Sequence, residues 1–326
     1  MNRKVFEMQF INKLKEGDEL QSIYHIKVKS QATAKTGKEY FNIQLEDRTG
    51  VLDGKIWDVT SPGVEDFSAN DYCYVEGEVI SYNNQLQARI KRVRVVDSSE
   101  FDTADYFATS KFKKEDMAAE LDALIAKVKN KNYSKLLKSV FVDDKNFREK
   151  FLSHQGAKII HHSFVSGLVE HTIFTTKLAI AIAENYDDLN KDLIITASLL
   201  HDIAKTKEIS SFPHNEYTDE GYLIGHIVMG YEMVKSKIAE LGGFSASEEN
   251  ELLHTILSHH GSTEFGSPKL PMLMEAYVVS QADNIDAKLE IMRESINNAK
   301  ITNKMDSNGF VDNNKFVGTR FRESKI

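Results

Sequence analysis

The stretch Leu193-Ile194-Ile195-Thr196-Ala197-Ser198-Leu199-Leu200-His201-Asp202-Ile203-Ala204-Lys205 decides how the second half of this chain is read. A largely apolar run of helical length ends on two adjacent polar groups. A buried carboxylate is tolerated only with a partner, and a metal ion supplies one. Working outward, His171 follows Gly167-Leu168-Val169-Glu170 and leads into a helical run from Ile173 to Ala183. Asp283 sits in Ser280-Gln281-Ala282-Asp283-Asn284-Ile285-Asp286, and His226 and the pair His259-His260 lie between. Imidazole and carboxylate suit zinc, manganese, iron, cobalt or nickel. An Asp flanked by His from several helices can bridge two ions and clamp a phosphate between them. Each candidate is expected on a helix, because rigid elements hold ligands best. The expectation is a hydrolase of phosphate esters.

His171, the doublet His201-Asp202 and the distant Asp283 resemble the pattern of the HD-domain metal-dependent phosphohydrolases. Two further segments are similar to the YhaM-type 3'-5' exoribonucleases. They are His161-His162-Ser163-Phe164 ahead of Gly167-Leu168-Val169-Glu170-His171-Thr172, and Glu216-Tyr217-Thr218-Asp219-Glu220-Gly221-Tyr222-Leu223-Ile224-Gly225-His226-Ile227. The resemblance covers nearly the whole chain. It implies a multidomain protein, an N-terminal all-β OB-fold barrel followed by a C-terminal all-α HD-domain helical bundle. It also implies an enzyme that cuts single-stranded RNA, and single-stranded DNA as a further substrate, to nucleoside 5'-monophosphates.

In this reading His171, His201, Asp202 and Asp283 enclose one divalent ion, and Asp202 reaches a second. His226, His259 and His260 extend the site toward that second ion, or hydrogen-bond substrate phosphate without holding a metal. Manganese is the first expectation, ahead of cobalt, iron, nickel and zinc. Two ions about 4 Å apart lower the pKa of a shared water, so no protein nucleophile is required. Lys205 is expected to join Asp202 in catalysis by offsetting charge on the phosphate; its plain alternative is a surface lysine that snorkels. His161 and His162 are expected at the scissile phosphate or the terminal sugar. His254 reads as an ordinary helix residue, and His214, in a Pro-containing loop, as exposed.

A length of 326 residues with 41% hydrophobic content suits two domains with real cores. The expected division is a barrel over 1–97, a linker over 98–115 and a helical domain over 116–326 ending in a basic tail. Cys73 is the only cysteine, which excludes an intramolecular disulfide and fits a reducing cytoplasm. The N-terminus lacks a signal-peptide core and no apolar run reaches membrane-spanning length, so no membrane partner is expected. A homo-oligomer remains open. The net charge of −8 argues against holding nucleic acid by charge alone. Even so, Arg89, Lys91, Arg92 and Arg94 cluster, and residues 300–326 carry six Lys or Arg against three Asp or Glu, a net of +3. Either cluster also reads as a solvated face.

Residues 18–97 read as strands with turn punctuation. Phe41, Ile43 and Leu45 alternate with polar residues, and Asp47-Arg48-Thr49-Gly50 turns the chain into Val51–Trp57. Tyr72–Ile80, a turn at Asn83-Asn84, and Leu86–Val96 add two more strands, and the whole resembles an OB-fold. Alternation sets Val51, Asp53, Lys55 and Trp57 opposite Leu52 and Ile56. Trp57 is then either a base-stacking platform or a plug in the barrel end. Tyr40 and Tyr82 carry the same two readings, and Lys55, Arg89 and Arg92 complete the candidate nucleic-acid contacts. From Met117, apolar residues recur at helical steps through Leu121, Leu124, Ile125 and Val128.

Three other functions compete. A cyclic-dinucleotide phosphodiesterase with a His-His pair normally continues with Glu and later Gly-Tyr-Pro, whereas here Gly261 follows the pair and the later tripeptide is Gly266-Ser267-Pro268. A nucleotide phosphohydrolase has no evident need for an OB domain, while a nuclease gains from one by tethering its polymer. A non-catalytic single-strand-binding protein would show a broken ligand set, and none of the seven positions is replaced.

Overall fold

The structure, a computed structural model, describes residues 8–325 apart from 35, 84, 103–104, 159–161, 213 and 302–304. It divides between Ala108 and Thr109 into two units.

The first unit is a closed five-stranded barrel. Its strands are β1 (Glu19–Thr33), β2 (Glu39–Asp47), β3 (Gly50–Ile56), β4 (Tyr72–Tyr82) and β5 (Gln85–Val95), paired in the order β1-β2-β3-β5-β4 and closed by β4 on β1. All pairings are antiparallel except β3 with β5. That order is the Greek-key barrel of an OB-fold. β1 is long enough to pair on both sides because a bulge between Ile26 and Val28 bends it. The β2–β3 turn is held by Asp47, whose carboxylate accepts from the amides of Ile11, Thr49 and Gly50. Alternation works as expected in β3, where Leu52 and Ile56 are buried and Val51 and Asp53 exposed.

The expected linker at 98–115 straddles the unit boundary, and its first half is packed. Tyr106 is buried and donates its hydroxyl to Ile23 O at 3.1 Å, and Phe101 stacks on Tyr72 with ring centroids 4.0 Å apart. The aromatic residues scattered through this polar stretch gave no periodicity to read.

The second unit is helical: α1 (Lys114–Ala126), α2 (Lys131–Lys138), α3 (Lys145–Ser153), α4 (Gly167–Ala183), α5 (Lys191–Leu200), α6 (Lys205–Glu208), α7 (Asp219–Leu223), α8 (His226–Leu241), α9 (Ala246–Leu257) and α10 (Met274–Ile301). α4 packs against both α10 and α5, and Leu168, Val169, Leu199, Leu200, Ile256 and Val279 belong to the continuous core they share. A fully buried Leu or Val is worth about 1.5–3 kcal/mol, so this core fixes the spacing of the helix ends that carry the polar residues. Among its described residues the basic tail carries a small hairpin. β6 (Val311–Asn314) pairs with β7 (Thr319–Phe321), Phe321 is buried, and Arg320 is ion-paired with Asp306. Among the described residues no helix is long and apolar enough to cross a membrane.

Candidate metal centre

Of the seven expected ligands, His171 lies within α4, His226 opens α8 and Asp283 lies within α10. The other four sit where helices stop: His201 caps α5, Asp202 occupies the following turn, and His259 and His260 the turn after α9. The physical reason is angular. Consecutive residues in a continuous helix point about 100° apart, so two adjacent side chains aim at one centre only where the helix ends.

The site has two halves that share Asp202. On one side, His171 Nε2 lies 3.1 Å from Asp283 Oδ1, 3.5 Å from Asp202 Oδ2 and 3.3 Å from His201 Nε2. His201 Nε2 is 3.3 Å from Asp202 Oδ2. On the other, His226 Nε2 and His259 Nε2 lie 3.4 and 3.6 Å from Asp202 Oδ1, and His260 joins this group. Atoms bound about 2.1 Å from a common ion are separated by about 3.0–3.5 Å, so these spacings fit metal ligation.

The hydrogen bonds on the far side of each ring make the case stronger. Nδ1 donates to Asp286 in His171, to Ser198 O in His201, to Glu208 in His226, to Ile256 O in His259 and to Phe265 O in His260, at 2.7–2.9 Å. In the neutral ring that tautomer leaves the lone pair on Nε2, aimed into the site. Asp202 Oδ1, His226 Nε2 and His259 Nε2 are buried without a hydrogen-bond partner. Three acceptors facing one another need a cation between them. The residues present therefore fit a pair of divalent ions, and the mixture of imidazole and carboxylate matches first-row metals.

The charges are mutually dependent. Burial works against a charge on Asp202, but Lys205, His201 and His171 outweigh it and hold its carboxyl well below the usual range. Asp283 is likewise depressed against burial, chiefly by His171. Burial opposes a charge on His171, yet Asp202, Asp283 and Asp286 together push its pKa well above normal. His260 is lowered to about 4 by burial and the neighbouring His259. Lys205 is not a surface lysine: it is buried, its Nζ lies 2.7 Å from Asp202 Oδ2, and Asp202 raises its pKa despite burial.

Two carboxylates were missed by the sequence reading. Asp286, one turn beyond Asp283, accepts from His171 Nδ1 at 2.7 Å and from His162 Nε2 at 2.9 Å. Glu208 accepts from both the amide and Nδ1 of His226, at 3.0 and 2.9 Å. The i, i+3 spacing of Asp283 and Asp286 was the available signal for the first; nothing local marked Glu208. His162, expected against substrate, is fully buried behind His171 and supports Asp286. It takes a positive φ of 56°, and Gly167 is what admits it, since a Cβ there would stand 2.0 Å from His162 O. His161 lies outside the described residues. His254 accepts from the amide of Met272, and His214 is exposed.

In the barrel unit Trp57 is 49% exposed, which removes it from the barrel core. It stacks on Tyr40 at 4.7 Å, with Lys55 Nζ about 5 Å from both rings (4.9 and 5.0 Å). A shallow groove of about 400 Å³ runs nearby, lined by Ser30, Asn42, Gln44, Asp53, Lys55 and Gln87. Tyr82 is exposed, whereas Arg89 and Arg92 are ion-paired with Glu78 and Glu76, so their charge is largely answered within the protein.

Buried His and Asp side chains brought together from several helices, with one carboxylate shared between two donor sets, make up a candidate metal centre. Residues 168–288 match the family model described as the HD domain. The barrel is similar to the second OB-fold domain of replication protein A from Methanococcus maripaludis, at 16% identity and a TM-score of 0.23, over 28% of this chain and 97% of that one. A replication protein A heterotrimer bound to ssDNA is matched at 19% identity and a TM-score of 0.21, over 27% of this chain and 65% of that one.

Proposed function

We propose that the protein is a metal-dependent 3'-5' exoribonuclease that releases nucleoside 5'-monophosphates from single-stranded RNA, and from single-stranded DNA as a second substrate, with manganese as its metal. The observation that carries the hydrolytic part is Asp202, whose two oxygens face separate sets of histidine nitrogens. His171, His201, Asp202 and Asp283 would hold one ion, and Asp202, His226, His259 and His260 the other. Such ions supply an activated water near neutral pH and polarise the phosphoryl oxygens. Lys205, held against Asp202, is the cation available beside the phosphate. The exposed Trp57, stacked on the half-buried Tyr40 beside Lys55, suits sequence-tolerant base stacking, which favours a polymer over a mononucleotide. The 3' polarity rests on the YhaM-type resemblance.

RNA labelled at its 5' end tests both parts. A ladder shortening progressively from the unlabelled terminus, abolished by chelator, is expected; immediate release of labelled mononucleotide refutes the polarity. His201→Ala combined with Asp202→Ala should abolish hydrolysis while leaving single-strand binding largely intact. A folded double variant that degrades RNA at the parental rate would disprove the metal assignment.

A further inference from the structure

Residues 216–226 form a strap that ends on the ligand His226, and both of its ends hang on Glu208. At one end Thr218 N donates to Glu208 O at 2.9 Å, and Tyr217 forms a β-bridge with Ile209. At the other, the Glu208 carboxylate accepts from His226 N and Nδ1. Between them Gly221 lies against the Glu208 backbone so closely that a Cβ would fall 2.2 Å from Glu208 O. So firmly held a segment nevertheless turns large apolar side chains to solvent. Tyr222 is 69% and Leu223 84% exposed, and Tyr217 is more than a third exposed. The Tyr217 and Tyr222 rings pair with centroids 5.1 Å apart, and Lys158 Nζ lies 5.7 Å from the Tyr217 ring.

We propose that the Tyr217–Tyr222 pair is a base-stacking platform that grips the end of a single strand beside the metal centre. This rests on the nuclease reading above. His226 lies four chain steps beyond Tyr222, which limits their Cα atoms to about 14 Å, or about four nucleotides at roughly 3.4 Å each along a stacked strand. A base held there belongs to the terminal nucleotides of a strand whose phosphate lies at the ions. Aromatic faces accept any base, and the rigid Glu208 anchor fixes the platform relative to His226, while the charge of Lys158 is answered by its ion pair with Glu216. Tyr217 and Tyr222 are then positioning residues that set substrate affinity.

The test uses the full chain and a 12-nucleotide RNA carrying 2-aminopurine near its 3' end, or near its 5' end as control. In chelator, where no cleavage occurs, binding should quench the 3' probe, and Tyr222→Ala should restore its emission. With manganese, Tyr222→Ala should raise KM about 5- to 100-fold with a much smaller fall in kcat, the range expected for losing one stacked base. Tyr222→Phe should restore both readings, since the ring and not the hydroxyl is at work. A parental KM and intact 3' quenching in Tyr222→Ala overturn the platform while leaving the nuclease reading standing. Quenching without hydrolysis in the wild type overturns the nuclease reading and leaves the platform. A change of oligomeric state in Tyr222→Ala with unaltered quenching assigns the patch to self-association and also overturns it.

Discussion

Replacing Asp286 by Ala removes a group that the metal-ligand pattern of the sequence does not contain, and the structure predicts what that costs. Asp286 binds no ion in the proposed arrangement, but it accepts charge-assisted bonds from His171 at 2.7 Å and His162 at 2.9 Å. Those bonds fix the His171 tautomer and orientation. Loss of such a supporting carboxylate typically lowers metal affinity 10- to 100-fold, about 1.4–2.7 kcal/mol. The proton competes with the metal for His171, and Asp286 is one of the carboxylates that raise its pKa. In the metal-free protein this histidine is therefore charged over a wider pH range than an ordinary one, and metal uptake must strengthen as pH rises. Asp286→Ala should lower the plateau affinity while shifting the onset of uptake to lower pH. Titration with manganese against a fluorescent chelator across pH 6–9, with circular dichroism to confirm folding, measures both (about 3 pH units suffice to span a one-unit shift). A folded variant with parental affinity and parental pH dependence would refute the role assigned to Asp286.

Trp57→Ala should weaken single-strand binding by about 1–3 kcal/mol, read by salt-controlled anisotropy; unchanged affinity would remove the Tyr40–Trp57 stack from the interface. Glu248 caps α9 and bonds Asn130, and the Ser245 backbone bond chiefly holds its pKa at about 2, below its ordinary value. A depressed carboxyl contributes stability that is complete above its unfolded pKa, near 4.5, and lost as pH falls toward 2. Glu248→Ala should therefore cost about 1 kcal/mol at pH 7 and progressively less below pH 4.5, measured by urea unfolding; a pH-independent deficit would count against the cap. Gly221→Ala should displace Glu208, because the added Cβ meets its carbonyl, and so weaken metal binding through His226; parental metal affinity in a folded variant would contradict that coupling.

The sequence by itself determined whatever depends on neighbours along the chain. Alternation at Phe41, Ile43 and Leu45 and the Asp47 turn marked the β2–β3 hairpin, because side-chain direction in a strand is fixed by parity. Helical spacing from Met117 to Val128 marked α1, and the apolar run before His201 marked α5. The chemical types of the seven candidate ligands were likewise legible, since a polar doublet closing an apolar helix needs a partner whatever surrounds it. Local pattern carries no information about distance between segments, and tertiary structure decided the rest. It brought Asp286 behind His171 from 115 positions away and set Glu208 under His226. It buried Lys205 against Asp202, withdrew His162 from any solvent-facing role, and turned Trp57 outward. It also placed His201-Asp202 and His259-His260 at helix ends, where adjacent residues can face one point. In the helical unit these arrangements follow from helix packing, in which buried polar groups must find partners among whatever the fold places beside them.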